Sequence, residues 1–460
     1  MEKKTYAISF GERFSYALGD VGCNFVWSTV AAFLTLYYTD SVGISAAVVG
    51  TIMLVTRLLD GVTDLGFGVI LDRTKSRFGK ARAWILWSTP MMSIGLILLF
   101  SVPDSLSETG KIIYASLTYI FLACFAYTAS NLSYNALLTL MTNDNPSKIS
   151  ANSIRFMCTS VFVIILAYVV PPLVDAVGWS MMSVIFAVLS ALCFLTTFFV
   201  VKERNDSVSI ATDSDKKQGE ELPVLESFKI LFKNRYFYTI CIMFLMYYIN
   251  NAIFNGMGVY FCRDILHDIN YFGSINACNM GAKFVSLMFV PFLANNFGKW
   301  KLMMMGWGAM VLGMAVMYLS SPHVEGVMAG AIIRGLGNAP ISAGLFTIIA
   351  DAVEYGEWKN GVNQVGLTNS ATSFGMKVGV GLGSAIVGWG LAFGEYDPSL
   401  TVQSDFTLFT EQVVFFILPI VTFSIALVAM YFTNIDKIYP QIIKDLAERR
   451  SKAKEAVQTA

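Results

Sequence analysis

The chain has 460 residues, of which 55% are hydrophobic and 14% charged, and its mean hydropathy is +0.60. A composition this apolar exceeds the needs of a soluble core and indicates a polytopic membrane protein. Lysine plus arginine (32) equal aspartate plus glutamate (32), so the chain lacks the net basic charge that nucleic-acid binding uses. The seven scattered cysteines and two histidines predict neither a metal centre nor histidine-based catalysis.

Apolar windows of about 20 residues, the length that crosses a hydrocarbon core of about 30 Å as a helix, recur along the whole chain. We predict 12 transmembrane helices, which begin near residues 14, 46, 84, 112, 150, 180, 236, 271, 301, 326, 365 and 410. The predicted cytoplasmic segments hold 25 of the 32 basic residues, and the predicted external loops hold only Lys111 and Arg263. We predict a multi-pass protein of the cell (inner) membrane, and the positive-inside rule predicts that both termini are in the cytoplasm.

A polar, charged stretch separates the sixth predicted span from the seventh. We predict an N-terminal six-helix bundle (1–201), a cytoplasmic linker (202–235), a C-terminal six-helix bundle (236–434) and a cytoplasmic tail (435–460). The pattern F-G-K-x-(K/R) recurs at 78–82 and 297–301, in the second predicted cytoplasmic loop of each half. Two parallel repeats would produce this recurrence. The sequence thus predicts an all-α protein of two six-helix bundles.

The second predicted span carries Arg57, Asp60 and Asp64 within the segment RLLDGVTD. Each charge at the centre of a membrane helix costs about 2.5 to 3.5 kcal/mol on insertion scales. The two aspartates are four residues apart and share one helix face, where both cannot stay ionised without a cation or proton nearby. We predict that the pair and the Thr63 hydroxyl bind Na⁺, or that the pair takes up H⁺. The structural alternative is that the aspartates only join helices through Arg57 and Lys377.

Other predicted spans carry polar side chains at similar depths, which would suit a hydroxyl-rich solute. They are Asp20 and Asn24, Asn131 and Asn135, Arg155, Asn250, Asn251 and Asn255, and Lys377. Tyr127, Tyr134 and Trp27 are aromatic platforms of the kind on which sugars stack. For any single asparagine or tyrosine, the alternative is an interhelical hydrogen bond or an interface anchor.

Six motifs occur in a fixed order: FSYALGDVGCN, YYTDSVGIS, RLLDGVTD, LDRTKSRFGKARAWIL, YTASNLSYNALL and ADAVEYGEWKNG. Together they span nearly the whole chain, and it resembles the glycoside-pentoside-hexuronide:cation symporters (melibiose permease-like), a family with the major facilitator fold. The resemblance implies an alternating-access carrier of the lipid bilayer whose partners are a small sugar and a coupling cation. We expect it to need no cofactor and to function as a monomer.

The resemblance also implies roles for particular residues. It implies that the cation is bound by Asp60, Asp64, Thr63 and Thr128. It implies that the sugar is bound by Asp20, Tyr127, Arg155 and Lys377. Where the melibiose carriers have an acidic sugar ligand and two tryptophans, this chain has Asn131, Asn135 and Ser342. Since asparagine both donates and accepts hydrogen bonds, the substrate can be a pentoside, glucoside, oligosaccharide or hexuronide as well as an α-galactoside. The sequence does not decide whether the coupling cation is Na⁺ or H⁺.

A charged segment after the second span is predicted to gate the carrier. Its residues are Asp72, Arg73, Arg77, Lys80 and Arg82. The predicted partners, when the carrier opens outward, are the acidic residues Asp351, Glu354 and Glu357. The alternative is a topology signal with no gating role.

Two other functions are alternatives to sugar symport. A lipid or lysolipid carrier of the same fold would also have a polar lining, which could receive a headgroup. A membrane-embedded enzyme is not expected, because the chain has no H-E-x-x-H or G-x-S-x-G motif and no predicted soluble domain larger than the linker.

Overall fold

In a computed structural model of the chain, the structure describes residues 7–142, 144–204, 234–360, 365–432, 434, 438–439, 441–446 and 448–449. Regular structure in these residues is helical, and eleven of the helices are long and apolar enough to cross a membrane. They are α1 (Phe10–Ser41), α2 (Ala46–Arg73), α3 (Ala81–Leu99), α4 (Glu108–Met141), α5 (Asn145–Val200), α6 (Tyr236–Ile265), α7 (Tyr271–Phe297), α8 (Lys299–Ser320), α9 (Val324–Asn360), α10 (Val365–Phe393) and α11 (Asp405–Phe432). The predicted all-α polytopic fold is confirmed.

Helix α5 explains why eleven helices correspond to 12 predicted spans. It contains the fifth and sixth spans, and they are separated at Gly178, whose φ of 78° and ψ of 166° are not helical. Glycine adopts a positive φ without the steric cost that a Cβ would bring. The arms of α5 on either side of Gly178 are therefore each long enough to cross a membrane.

Contacts between Cα atoms divide the chain into two compact units. Unit 1 consists of Met1–Asp213, Asn251–Ala277 and Val380–Phe415, and unit 2 consists of Ser214–Asn250, Cys278–Gly379 and Phe416–Ala460. Unit 1 thus contains segments from both predicted bundles. The predicted bundles (1–201 and 236–434) stay a prediction, and most of the predicted linker and tail lies outside the described residues.

The glycines in both copies of the F-G-K repeat have positive φ angles. Gly79 has a φ of 99° and Gly298 a φ of 79°. A helix follows each glycine, since α3 begins at Ala81 and α8 at Lys299. Positive φ values favour glycine, so the repeated glycine marks the point at which the backbone turns before the third helix of each sequence half.

Large apolar side chains are exposed along the helices, whereas several charged side chains are buried. Met288 of α7 is 70% exposed and Leu319 of α8 is 81% exposed, while Asp60 and Arg57 of α2 are 2% and 4% exposed. An apolar exterior is what a lipid-facing surface requires, and charges inside such a protein are rare and mark functional sites.

Within unit 1, the backbones of α2 and α10 approach closely at small residues. A Cβ added to Gly388 would lie 2.4 Å from the carbonyl oxygen of Ala46 and 2.7 Å from the Cα atom of Gly50. A Cβ added to Gly50 would lie 2.9 Å from the carbonyl oxygen of Ala385. Small residues at such positions are typical of helix interfaces in membranes, because they let two backbones touch.

We expect Gly388→Ala to lower the midpoint of thermal unfolding, because overpacking of this kind costs about 1 to 3 kcal/mol. Gly375→Ala is the matched control on the same helix, since an added Cβ there meets no atom within 4 Å. The unfolding midpoint of Gly375→Ala should stay the same or rise, because alanine in a helix is more stable than glycine by up to about 1 kcal/mol. Equal midpoints for the two purified variants would contradict this packing.

Candidate functional site

The two aspartates of α2 converge with a hydroxyl of α4. Thr128 Oγ1 lies 3.0 Å from Asp60 Oδ1 and 3.1 Å from Asp64 Oδ1. The same hydroxyl is 3.2 Å from the carbonyl oxygen of Ala123. One hydroxyl carries one proton, so it donates to only one of these three oxygens at a time. The result is a cluster of hard oxygen atoms of the kind that binds Na⁺, around a carboxylate pair that can also take up H⁺.

A π-helical turn, Phe121–Tyr127, directly precedes Thr128 on α4. Such turns insert one extra residue into a helix and are frequent at functional sites. The turn is held against α2 by Cys124, whose Sγ lies 3.5 Å from the carbonyl oxygen of Thr56. The π-helical turn sets the direction in which the Thr128 side chain faces. The apolar periodicity of the sequence does not indicate that such a turn is present.

Arg57 neutralises one of the two carboxylates. Its Nη1 is 2.9 Å from Asp60 Oδ2, and its Nη2 donates to the Tyr119 hydroxyl at 3.1 Å. The guanidinium carbon lies 3.5 Å from the centroid of the Trp27 ring, in a cation–π contact. Asp60 therefore has Arg57 on one oxygen and Thr128 on the other, and Arg57 supplies one positive charge against the two negative charges of an ionised pair.

Thr63 differs from Thr128 in the direction of its hydroxyl. Thr63 Oγ1 donates to the backbone carbonyl of Asp60 at 3.2 Å, a bond within one turn of α2. The Thr128 hydroxyl instead bridges α4 and α2. We therefore expect Thr128 to matter more than Thr63 to a bound cation.

Four predicted sugar-binding residues form a chain of hydrogen bonds. Arg155 Nη1 donates to Asn135 Oδ1 at 3.2 Å, and Asn135 Nδ2 donates to Asn131 Oδ1 at 2.9 Å. Asn131 Nδ2 donates to the Tyr127 hydroxyl at 3.4 Å. Residues 127, 131 and 135 are one turn apart, so α4 presents amide and phenol groups along one face, next to the guanidinium from α5.

Asp20 of α1 is half-buried and contacts α5 through a residue that the sequence analysis did not single out. Thr159 Oγ1 donates to Asp20 Oδ2 at 2.6 Å. Thr159 follows Arg155 by four residues and so lies on the same face of α5. That face therefore brings a hydroxyl and a guanidinium to the polar groups of α1 and α4.

Trp27 connects the two groups of polar residues. One neighbour of its ring is the Arg57 guanidinium, and another is the Tyr127 ring, with centroids 5.0 Å apart. Tyr127 immediately precedes Thr128 in the chain. The carboxylate pair and the chain of amides are thus joined by packed side chains within unit 1.

The remaining predicted polar residues are placed differently. Lys377 is half-buried in the unit 2 part of α10, and its sugar-binding role stays a prediction. Asn250 Nδ2 donates to Thr422 Oγ1 at 2.8 Å, which is the interhelical bond of the structural alternative. Polar side chains that bond to their own helix are Asn24, Asn255 and Ser342.

The predicted gating residues lie at the end of α2 and in the loop before α3. Asp72 and Arg73 occupy the last turn of α2, and the Arg77 guanidinium carbon lies 4.7 Å from the Phe78 ring centroid. The carboxylate that binds this loop belongs to Glu203, which the sequence analysis placed in the linker. It accepts the backbone N–H groups of residues 80 and 82 at 2.9 Å and 2.7 Å.

The acidic residues predicted to face this loop have partners within unit 2. Asp351 forms an ion pair with Lys299, and Glu354 accepts the Tyr439 hydroxyl at 2.7 Å. Burial and this hydrogen bond raise the pKa of Tyr439, so its phenol stays protonated and remains the donor at neutral pH. The latch between the two charged groups stays a prediction.

The chain matches the model of the family described as MFS/sugar transport protein over residues 15–437. It is 31% identical over 458 residues to the isoprimeverose transporter of Lactiplantibacillus pentosus, covering 96% of this chain and 92% of that protein. It is 28% identical over 473 residues to the putative glycoside/cation symporter YagG of Escherichia coli (strain K12), covering 98% and 99%. The glucuronide carrier protein homolog of the same organism is 27% identical and 95% of each chain is covered.

Solved structures agree with the fold. A variant of the nucleoside transporter NupG superposes with a TM-score of 0.67 at 17% identity, covering 91% of this chain and 100% of that chain. Identity this low supports the architecture alone, a helical multi-pass membrane fold. The family match and the transporter relatives indicate a transporter and not an enzyme. With the family match over most of its length, the chain therefore belongs to the MFS/sugar transport protein family of major facilitator transporters.

Proposed function

We propose that the chain imports a sugar or glycoside together with Na⁺ or H⁺ by alternating access. The observation that carries the proposal is the Thr128 hydroxyl, which lies within 3.1 Å of both Asp60 and Asp64. A carboxylate pair with one counter-charge from Arg57 favours a single exchangeable monovalent cation. Trp27 and Tyr127 give this site a packed connection to the polar groups of α1, α4 and α5.

The substrate class follows from the chemistry of those polar groups. Asn131 and Asn135 both donate and accept, as sugar hydroxyls do, and Asp20 is a strong acceptor for hydroxyl protons. Arg155 would also pair with the carboxylate of a hexuronide. Relatives named for isoprimeverose, glycosides and glucuronides support this range of substrates. We propose a pentoside, glucoside, oligosaccharide or hexuronide.

A counterflow screen in proteoliposomes tests the proposal. Vesicles loaded with one glycoside would be assayed for uptake of its labelled form, with and without Na⁺ and with and without a pH gradient. Exchange of at least one glycoside, stimulated by one of the two cations, is the expected result. Exchange of a lysolipid with no response to any sugar would overturn the proposal in favour of the lipid carrier.

Thr128 provides a sharper test of the cation site. We expect Thr128→Val to raise the cation concentration for half-maximal stimulation about tenfold or more, since a hydrogen bond to a charged group contributes about 1.5 to 3 kcal/mol. Thr128→Ser keeps the hydroxyl and should stay close to the parent chain. The measurement is sugar binding to purified protein over a titration of the stimulating cation. Equal losses in the valine and serine variants would show that the hydroxyl is not a ligand.

A further inference from the structure

A second group of buried charges lies in unit 1, where α1 and α6 end and α11 begins. Arg263 donates to both carboxylate oxygens of Asp264, from Nε at 2.7 Å and from Nη2 at 2.8 Å. It also forms an ion pair with Asp40. The Tyr396 hydroxyl lies 2.6 Å from Arg263 Nη2 and 2.9 Å from Asp40 Oδ2. The sequence analysis treated Arg263 only as a loop residue.

Glu411 is the member of this group whose position needs an explanation. It is 1% exposed, and in the described part of the chain neither of its carboxyl oxygens has an N–H or O–H donor. The Asp264 carboxyl lies within hydrogen-bonding reach of it, and the charges of Arg263 and Asp40 also act on it. An ionised Glu411 would be a buried charge without donors that faces a second carboxylate, which is strongly unfavourable. A protonated Glu411 instead is neutral and donates its O–H to Asp264, which removes the repulsion between two carboxylates.

The charges of the group support a shared proton. Asp40, Asp264 and Glu411 face a single guanidinium, that of Arg263, so three ionised carboxyls would leave two negative charges in excess. One proton on the Glu411–Asp264 pair reduces the excess to one. In the described residues no group of three or more potential ligands fits a metal ion. A proton is therefore the cation that this arrangement suits.

The backbone around the group is also unusual. Asp40 lies in the π-helical turn Tyr37–Ser41, and Arg263 and Asp264 lie in the π-helical turn Phe261–Ile265. A third such turn, Val413–Ile417, begins two residues after Glu411. Turns of this kind are rare and frequent at functional sites. Their occurrence on three helices that meet at one ionic group marks this end of unit 1 as a site in its own right.

We propose that Glu411 and Asp264 form a proton-binding site, separate from the Asp60/Asp64 pair, whose occupancy holds this end of unit 1 closed. When the Glu411 O–H bond breaks and the proton leaves to water, two carboxylates stand side by side. Arg263 cannot pair with both of them and with Asp40, so the start of α11 moves away from the end of α6. The other groups that face the site are Tyr396 and Tyr260, the latter hydrogen-bonded to Thr39 at 2.8 Å. The proposal does not depend on the identity of the transported substrate.

Amide hydrogen exchange of the full chain in lipid nanodiscs tests this. The peptides to follow contain Phe261–Ile265 and residues 405–412, between about pH 5.5 and about pH 8.5, a range in which neither arginine nor an ordinary tyrosine titrates. Each wild-type rate is divided by the rate of Glu411→Gln at the same pH, which removes the intrinsic pH dependence of exchange. The expected ratio is near one at the acidic end and rises about fivefold or more at the alkaline end.

Asp405→Asn is the matched control, because Asp405 is an exposed carboxylate on the same helix as Glu411. It should behave as the wild type does across the pH range. Asp264→Asn removes the other half of the pair and should also lose the pH-dependent opening, which keeps the test valid if Glu411→Gln does not fold. A ratio that stays near one at every pH, or an equal loss in Asp405→Asn, would overturn the proposal.

Discussion

Replacing Asp60 or Asp64 with asparagine should abolish uphill, cation-driven accumulation of sugar while downhill exchange survives. Each substitution removes one carboxylate from the oxygen cluster around Thr128, and with it the negative charge that retains a cation. Binding of cation and sugar would be linked, so each raises the affinity for the other by the same factor, typically worth about 1 to 3 kcal/mol. Residual sugar binding should therefore lose its dependence on Na⁺ or pH. Accumulation and exchange are measured separately in proteoliposomes.

The exposed Asp104, in the connection between α3 and α4, provides the control for these variants. Asp104→Asn makes the same chemical change away from the buried pair and should accumulate sugar as the parent chain does. If the aspartates served only to join helices, the Asp60 and Asp64 variants would lose insertion or both activities together. A well-folded double variant that still concentrates sugar against its gradient would rule out the coupling assignment.

The second large effect is expected at Asp20. We expect Asp20→Asn to weaken sugar binding about tenfold or more, because a carboxylate accepts hydroxyl hydrogen bonds about twice as strong as those of a neutral acceptor. Cation binding should be largely retained, since Asp60, Asp64 and Thr128 are unchanged. Calorimetry on the purified variant, with sugar and cation titrated in turn, gives both affinities.

Thr159 separates this role from a structural one. Its hydroxyl donates to Asp20 Oδ2 at 2.6 Å, so Thr159→Val removes the contact between α1 and α5 and leaves the carboxylate in place. If Asp20 is a sugar ligand, Thr159→Val should reduce the affinity for sugar far less than Asp20→Asn does. Equal reductions, or an unchanged affinity in a folded Asp20→Asn protein, would show that Asp20 only anchors α5.

The carboxylate pair was accessible to sequence reasoning because its signal is local. Asp60 and Asp64 are separated by one helical turn inside an apolar run, and both facts can be read from the letters alone. Thr128 could be proposed only through the family resemblance, because it lies 64 residues from Asp64 in the chain. Its orientation depends on a π-helical turn that has no periodic signature.

Other contacts went unrecognised for similar reasons. Tyr119 and Thr159 are ordinary residues of apolar helices, and only packing shows which of many such residues meets a charge. Glu203 lies three residues after the end of α5 and was assigned to the linker, yet it binds the loop before α3. Glu411 lies in the first turns of α11, where a carboxylate is expected to face water or the helix dipole, and its burial depends on segments distant in sequence.

In the proposed transport cycle, Arg57 also determines how the membrane voltage acts on the carrier. With both aspartates ionised, the side chains of Arg57, Asp60 and Asp64 sum to one negative charge, and one bound monovalent cation brings this sum to zero. In the proposed cycle, the loaded site of α2 is thus electrically neutral and the empty site is not. Moving one elementary charge across the full membrane changes its energy by about 2.3 kcal/mol at a potential of 100 mV. An inside-negative potential therefore drives the step in which the empty, negatively charged site of α2 returns to the outside. It does not drive the inward step with sugar, because the loaded site is neutral.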